Sequence, residues 1–141
     1  MTGFVLDDTV IHAFAFADNS VVGLISALVS HDTRLSIPAV TLALAQARLS
    51  DTQCDEVNGM ADNLEHVRLE TLSTTWQVTD LSRIVGLLGN DPDMAAAHAI
   101  AVARHLDWPI LTADRARWAD ITATMPWPVE LVELAEPDER R

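Results

Sequence analysis

Three short apolar runs, separated by segments of helical length, constrain the fold of this chain more than any other feature. They cover residues 3–7 (GFVLD), 34–37 (RLSI) and 109–111 (PIL). Runs of this length and character are typical of strands buried in a parallel sheet. Strands that alternate with helices pack as a parallel sheet covered on both faces. The sequence therefore predicts an α/β fold, a three-layer α/β/α sandwich with a mostly parallel central sheet.

The remaining elements follow from capping residues, prolines and apolar spacing. Helices are predicted over residues 10–17, 21–30, 38–49, 55–66, 80–89, 92–105 and 115–120, and two further strands over 67–72 and 128–134. We expect Asp8 or Thr9 to cap the first helix and Asp91 to cap the Ala-rich helix, because short polar side chains accept hydrogen bonds from a first turn. Residues 1–135 are expected to form one domain, and residues 136–141 a frayed tail.

Charge and cysteine content restrict the partners and the compartment. The net charge is −12, and all nine basic residues are arginines. Such a charge repels a phosphate backbone at long range, which disfavours a general basic surface for nucleic acid. Local contact with RNA through a metal ion or a few arginines stays open, and so does a basic protein partner. The single Cys54 and the lack of a secretory signal or a membrane-length apolar run predict a cytoplasmic protein without membrane contact.

Two of the predicted strands end in acidic residues. Asp7 and Asp8 close the first run, and Asp114 follows the run at 109–111 in the segment ILTAD. Ligand sites in parallel α/β sheets lie at the carboxyl ends of the strands, where the strand order reverses. These positions therefore predict an acidic pocket at one edge of the sheet.

Three segments carry a resemblance to a known family over essentially the whole chain. They are VLDDTVI at 5–11, IPAVTLA at 37–43, and the Ala-rich helix with WPILTAD that ends at Asp114. In this order the chain resembles the PIN-domain family, whose bacterial members include the VapC-type toxins of toxin–antitoxin pairs. The resemblance implies a ribonuclease that binds Mg²⁺ or Mn²⁺ through four acidic side chains, with an antitoxin as partner. It implies metal ligation by Asp7 and Asp114, and supporting hydroxyls from Thr9 and Thr112.

The chain departs from the family pattern at two of the four acids. Leu44 stands where the resemblance places a glutamate, and Ala96 where it places an aspartate. Asp93 lies one helical turn before Ala96, so it either replaces the lost acid in catalysis or caps the helix. Two carboxylates together with substrate phosphates still suffice for weak Mg²⁺ binding. Catalysis is predicted to be weak or lost, and enzyme activity stays open.

Three functional hypotheses follow. One is a metal-dependent ribonuclease that uses Asp7, Asp114 and Asp93. The second is a non-catalytic PIN-like module that binds a protein, RNA or a second copy of itself. The third, a phosphoacceptor receiver domain, requires a lysine on a late strand, and the chain contains none.

Two surface features bear on these hypotheses. Arg115 and Arg117 follow Asp114 and either contact RNA phosphates or are solvated. The apolar helices at 10–17 and 21–29 carry more hydrophobic surface than one face of a sheet needs. They therefore predict a homodimer or partner interface.

Overall fold

A computed structural model describes residues 2–134 of the chain, so the tail predicted at 136–141 lies outside the described residues. The central sheet has five strands, all parallel, in the order β3-β2-β1-β4-β5. The strands are β1 (Gly3–Leu6), β2 (Arg34–Pro38), β3 (Val67–Glu70), β4 (Ile110–Thr112) and β5 (Leu131–Glu133). The helices are α1 (Asp8–Ala15), α2 (Asn19–Ser30), α3 (Ala39–Gln46), α4 (Asp51–Asn63), α5 (Thr75–Leu88), α6 (Met94–Leu106) and α7 (Ala119–Ala123). A 3₁₀ turn, Arg115–Trp118, precedes α7. The predicted three-layer α/β/α architecture is confirmed.

The core lies in two clusters, one on each face of the sheet. Successive residues of a strand point to opposite faces. Leu6 and Leu111 accordingly pack with α1, α2 and α4, whereas Val5 and Ile110 pack with α5 and α6. This alternation explains why β1 and β4 read as continuous apolar runs. Both of their faces are covered, so neither strand shows the polar alternation of a half-exposed sheet.

The helix α3 is capped by a residue from a distant part of the chain. Pro38 precedes the helix and provides no side-chain cap. The backbone N–H of Val40 instead donates to the Nδ1 atom of His98 on α6, at 3.0 Å. The hydroxyl of Thr41 donates to the backbone oxygen of Ala95, at 2.7 Å. These two bonds fix α3 against α6, beside the carboxyl ends of the strands.

Several predicted helix boundaries were wrong. The helix α4 begins four residues before its predicted start, and the helix α5 begins five residues before its own predicted start. In both cases a capping box starts the helix, with Ser50 paired to Gln53 and Thr74 paired to Gln77. The cap of α6 is Asp93 and not Asp91. A capping box satisfies two backbone donors, so it sets the first turn more strongly than the polar residues chosen from the sequence.

The apolar surface of α1 and α2 is used largely within the fold. Val10, Ile11, Val21 and Ile25 are buried in the first core cluster, while Phe16 at the end of α1 is exposed. Within residues 2–134, no single helix has the length and apolar character needed to cross a membrane. Among the described residues, α1 and α2 taken together have that length and apolar character, and they are bent by 109° relative to each other.

Candidate functional site

Asp7 lies fully buried at the point where β1 turns into α1. Its Oδ1 atom accepts hydrogen bonds from the backbone N–H of Val10 at 3.0 Å and from the hydroxyl of Thr9 at 2.6 Å. Asp7 is therefore the N-cap of α1, and the prediction that Asp8 or Thr9 would cap this helix was wrong. The side chain of Asp8 is free to point elsewhere, because Asp8 is already in the first helical turn.

Two threonine hydroxyls join the ends of β1 and β4. Thr9 Oγ1 lies 3.3 Å from Thr112 Oγ1 and accepts a hydrogen bond from the backbone N–H of Ala113 at 2.9 Å. The Thr112 hydroxyl accepts from the backbone N–H of Asp114 at 3.1 Å. The structure thus brings together the two predicted threonines. Both are occupied in holding the strand ends, with Thr112 fully buried.

Arg117 lies among three carboxylates at this edge of the sheet. Its Nη2 and Nε atoms donate to Asp93 Oδ2 at 2.8 Å and 3.2 Å, and its Nη1 atom donates to Asp8 Oδ1. The same Nη1 atom lies 3.5 Å from Asp7 Oδ2. The side chain of Arg117 is only 17% exposed and Asp7 is fully buried, whereas Asp8 and Asp93 stay partly open to solvent. One guanidinium therefore offsets the negative charge of an acidic cluster drawn from β1, α1 and α6.

The electrostatics of the cluster depend on this arginine. Burial raises the pKa of Asp8 above its ordinary value, and the neighbouring Asp7 raises it further, while Arg117 opposes both effects. Burial alone would lower the pKa of Arg117. The charges of Asp8, Asp93 and Asp7 outweigh it, so the pKa of the guanidinium lies above its ordinary value. Arg117 therefore stays protonated in the pocket, and its charge opposes the effect of burial on Asp8.

Trp118 provides a further bond to Asp7. Its indole Nε1 atom donates to Asp7 Oδ2 at 2.9 Å, and the side chain is fully buried in the second core cluster. Together with the contacts to Thr9, Val10 and Arg117, this bond engages both oxygens of Asp7. The carboxylate that the resemblance assigns to a metal is thus held by donors from the protein itself.

Of the other predicted site residues, Asp93 joins this cluster through Arg117, whereas Asp114 and Arg115 do not. Asp114 is exposed, and its Oδ1 atom caps the 3₁₀ turn by accepting from the backbone N–H of Arg117 at 3.4 Å. Asp93 caps α6 by accepting from the backbone N–H of Ala96 at 3.0 Å, which is the capping role considered above. Ala96 is buried in the core, and Leu44 is 44% exposed. Arg115 is exposed on the surface, whereas Arg117, predicted to contact RNA or solvent, faces the acids.

This donor set does not fit a divalent metal ion. Hard cations require several carboxylate oxygens that are free to converge on one point. Here a guanidinium binds the oxygens of Asp7, Asp8 and Asp93, and Asp114 is engaged elsewhere. Across residues 2–134, no three His, Cys, Asp or Glu side chains are arranged to hold a metal ion. Binding of Mg²⁺ or Mn²⁺ remains a prediction that requires these contacts to rearrange.

An open groove of about 620 Å³ runs beside the ion-pair cluster. On one side it is lined by Asp8, Asp93 and Arg117, and on the other by residues of α1 and α3. The far wall contains His12, the exposed Leu44 and the exposed Arg48. The ring of His12 contacts the exposed Phe16, with 6.2 Å between the ring centroids, so an apolar side chain lies next to the groove. The groove therefore combines an acidic cluster, partly offset by one guanidinium, with a lining that includes the apolar Leu44.

The role of two side chains at this site was not predicted from the sequence. Trp118 was not named as a site residue, and Arg117 was predicted to contact RNA or solvent and not the acids. A signal was present in their spacing, since they lie three and four residues after Asp114. A short helical turn that starts at a strand end places such residues back over the strand it follows.

Comparison with known proteins does not assign this chain to a family. No protein-family model matches this chain, and no curated protein is significantly similar to it. The relation to the PIN-domain family therefore stays a prediction based on the three sequence segments.

Proposed function

We propose that this chain is a PIN-like module that binds a protein partner and does not cleave RNA. The observation that carries the proposal is the position of Arg117 among Asp7, Asp8 and Asp93. In the hydrolytic proteins that the sequence resembles, a metal ion supplies the positive charge at these acids and activates water. A guanidinium supplies the charge, but it cannot activate water, because it carries no exchangeable coordination site.

Two apolar residues, at positions where the resemblance expects acids, support the same proposal. Leu44 and Ala96 replace the two acids that would orient a nucleophile or hold a second ion. Leu44 is moreover exposed on the wall of the groove, where an apolar side chain serves a protein contact better than a metal site. The net charge of −12 opposes RNA binding and favours a protein partner.

The partner is expected to cover the groove and the apolar residues beside it. Leu44 and Phe16 are exposed, and Arg48 lies on the groove wall. Side chains of this kind form the anchors of protein interfaces when a partner removes them from water. An antitoxin-type protein and a second copy of this chain are both partners of this class. The predicted homodimer is therefore one form of the proposal, and light scattering distinguishes it from a contact with a different protein.

The hydrolytic half of the proposal is tested by metal binding and RNA cleavage. We expect the wild type to show neither Mn²⁺ binding by calorimetry nor cleavage of mixed single-stranded RNA. Arg117→Met alone should also lack cleavage, because Leu44 and Ala96 still provide no carboxylate. Combining Arg117→Met with Leu44→Glu and Ala96→Asp should restore Mn²⁺ binding.

Asp7→Asn is the matched control for the cleavage assay. The amide oxygen still accepts the bonds from Val10 and Thr9 that cap α1, while the charge is removed. Cleavage by the wild type that Asp7→Asn abolishes would overturn the proposal in favour of a metal-dependent ribonuclease.

The binding half is tested by photo-crosslinking in cells that contain the protein. A photoreactive amino acid at Leu44 should give a discrete adduct that survives ribonuclease and is identified by mass spectrometry. The same amino acid at Val78, an exposed apolar position on α5 outside the groove, should not give it. Adducts that ribonuclease removes would instead indicate RNA as the partner, against the proposal.

A further inference from the structure

A second cleft, of about 630 Å³, lies between α6 and the segment that leads into β5. Its volume is in the range of small-molecule sites. It shares no lining residue with the groove beside Arg117. Apolar residues such as Ile100, Ala103 and Leu131 line part of it. The remaining lining includes two arginines, two tryptophans and two acids: Arg104, Arg115, Trp108, Trp127, Asp107 and Glu130.

The arginines of this cleft are ordered without being neutralised. The guanidinium carbon of Arg104 lies 3.8 Å from the ring centroid of Trp127, which fixes the plane of the guanidinium. The backbone N–H of Arg115 donates to Glu133 at 2.8 Å, which holds the start of that side chain. Within residues 2–134, neither guanidinium forms an ion pair. In a chain of net charge −12, these two arginines, with no ion pair among the described residues, offer strong donors to an anion in a cleft that also contains two acids.

The aromatic and acidic residues narrow the class of anion. Tryptophan rings and a flat guanidinium provide surfaces on which a planar ring stacks. The carboxylates of Asp107 and Glu130 repel a bare polyanion, but they accept hydrogen bonds from hydroxyl groups. A ligand that fits all three features carries a phosphate, a planar ring and hydroxyl donors between them.

We propose that this cleft binds a nucleoside monophosphate. The phosphate contacts Arg104 and Arg115, the base stacks on the surface formed by Trp127 and Trp108, and the ribose hydroxyls donate to the acids. A free nucleotide and the 5′-phosphorylated end of a nucleic-acid strand present the same chemistry. The proposal is independent of the role of Arg117, because the two sites have no residue in common.

Calorimetry and tryptophan fluorescence test the proposal with defined ligands. AMP should bind saturably and quench the fluorescence, adenosine should bind on the order of tenfold more weakly, and inorganic phosphate should not saturate. A short strand with a 5′-phosphate that binds as AMP does, while its 5′-hydroxyl form does not, identifies a strand end as the ligand. Binding of AMP but of neither strand identifies the free nucleotide. Both results support the cleft as a site for this chemistry.

Substitutions locate the binding. Arg104→Gln and Trp127→Leu should each weaken AMP binding roughly tenfold or more, because each removes a charged or a stacking contact. Arg104→Lys keeps the positive charge but loses the planar guanidinium that stacks on Trp127, so it should also weaken AMP binding. Arg68→Gln, which removes an exposed arginine on β3 that lines neither groove, is the matched control and should leave binding unchanged. Circular dichroism and thermal unfolding verify that each variant is folded.

Three results would overturn the proposal. The first is no AMP binding at about millimolar concentration, and the second is equal binding of AMP and inorganic phosphate. The third is an affinity for AMP that Arg104→Gln and Trp127→Leu leave unchanged in folded protein. The second result would remove the role of stacking. The third would place the ligand elsewhere on the chain.

Discussion

The buried imidazole of His98 should make the stability of this protein depend on pH. Its Nδ1 atom accepts the hydrogen bond from Val40 that caps α3, so the ring must be neutral with its proton on Nε2. The side chain is almost fully buried. Burial lowers the pKa of His98 from 6.5 to about 4. A proton on Nδ1 would place a charge in the core and also abolish the capping bond.

The sign and the size of the effect follow from the two pKa values. Because the pKa of His98 is lower in the folded state, the unfolded chain binds more protons between these values. The free energy of unfolding should therefore fall as the pH is lowered from about 6.5 towards 4. For a single group with these pKa values, the loss between pH 7 and pH 5 amounts to about 2 kcal/mol.

Urea unfolding of the wild type and His98→Asn at pH 7, above both pKa values, and at pH 5, between them, measures this loss. The asparagine oxygen lies near the position of Nδ1, accepts from Val40 and does not titrate. The variant should be less stable than the wild type at pH 7, since it packs less well. This difference should shrink by about 2 kcal/mol at pH 5.

His105→Asn, which removes an exposed imidazole from the same helix, is the control for loss of an imidazole outside the core. Glu70, Asp80 and His105 line the slot beside His98, but within the described residues none of them bonds to its ring. Their titration is common to the wild type and His98→Asn, so it cancels in the comparison. Parallel pH profiles for these two proteins would refute the reasoning, because His98 would then bind its proton equally in both states.

Two further substitutions test the packing around the sites. Arg117→Met should lower the free energy of unfolding by roughly 2 kcal/mol, because it leaves the buried Asp7 and the partly exposed Asp8 and Asp93 without their cation. Arg115→Met, which removes an exposed arginine, should change it by less than about 0.5 kcal/mol in the same denaturation assay, and equal effects would contradict the role given to Arg117. Gly3→Ala should destabilise by about 1–3 kcal/mol, because a β-carbon would lie 2.7 Å from the Trp108 ring and from a backbone oxygen of β2. In contrast, Gly23→Ala lies in α2 with no atom within 4 Å of the added carbon and should stabilise by up to about 1 kcal/mol. Thermal unfolding compares the two glycine variants, and a stabilising Gly3→Ala would show that the strand relaxes without cost.

Local sequence signals account for most of the fold, including parts that were misplaced. The apolar runs and their order predicted the parallel sheet, because burial on both faces leaves a recognisable composition. The early starts of α4 and α5 were also readable, since Ser50 with Gln53 and Thr74 with Gln77 have the spacing of a capping box. These boundaries were wrong because polar residues were interpreted as a break and not as a reciprocal cap.

The candidate site was only half predictable for a different reason. The sequence placed Asp7 and the two threonines at adjoining strand ends, as parallel strands require. It also placed Leu44 and Ala96 where acids are expected. The sequence could not decide whether Asp93 caps the helix or takes part in catalysis, because both roles need a carboxylate at the same turn of the helix.

What the sequence by itself determined is therefore the layered parallel fold and the acidic strand ends, which depend on short-range periodicity and residue type; the loss of two acids is only what the resemblance implies. What only the tertiary structure decided is how the remaining charges are satisfied. Arg117 reaches Asp7 across a separation of 110 residues, and His98 reaches Val40 across 58 residues. Such contacts depend on how distant segments pack against one another, and the free energy of burying a charge then selects the one partner within reach.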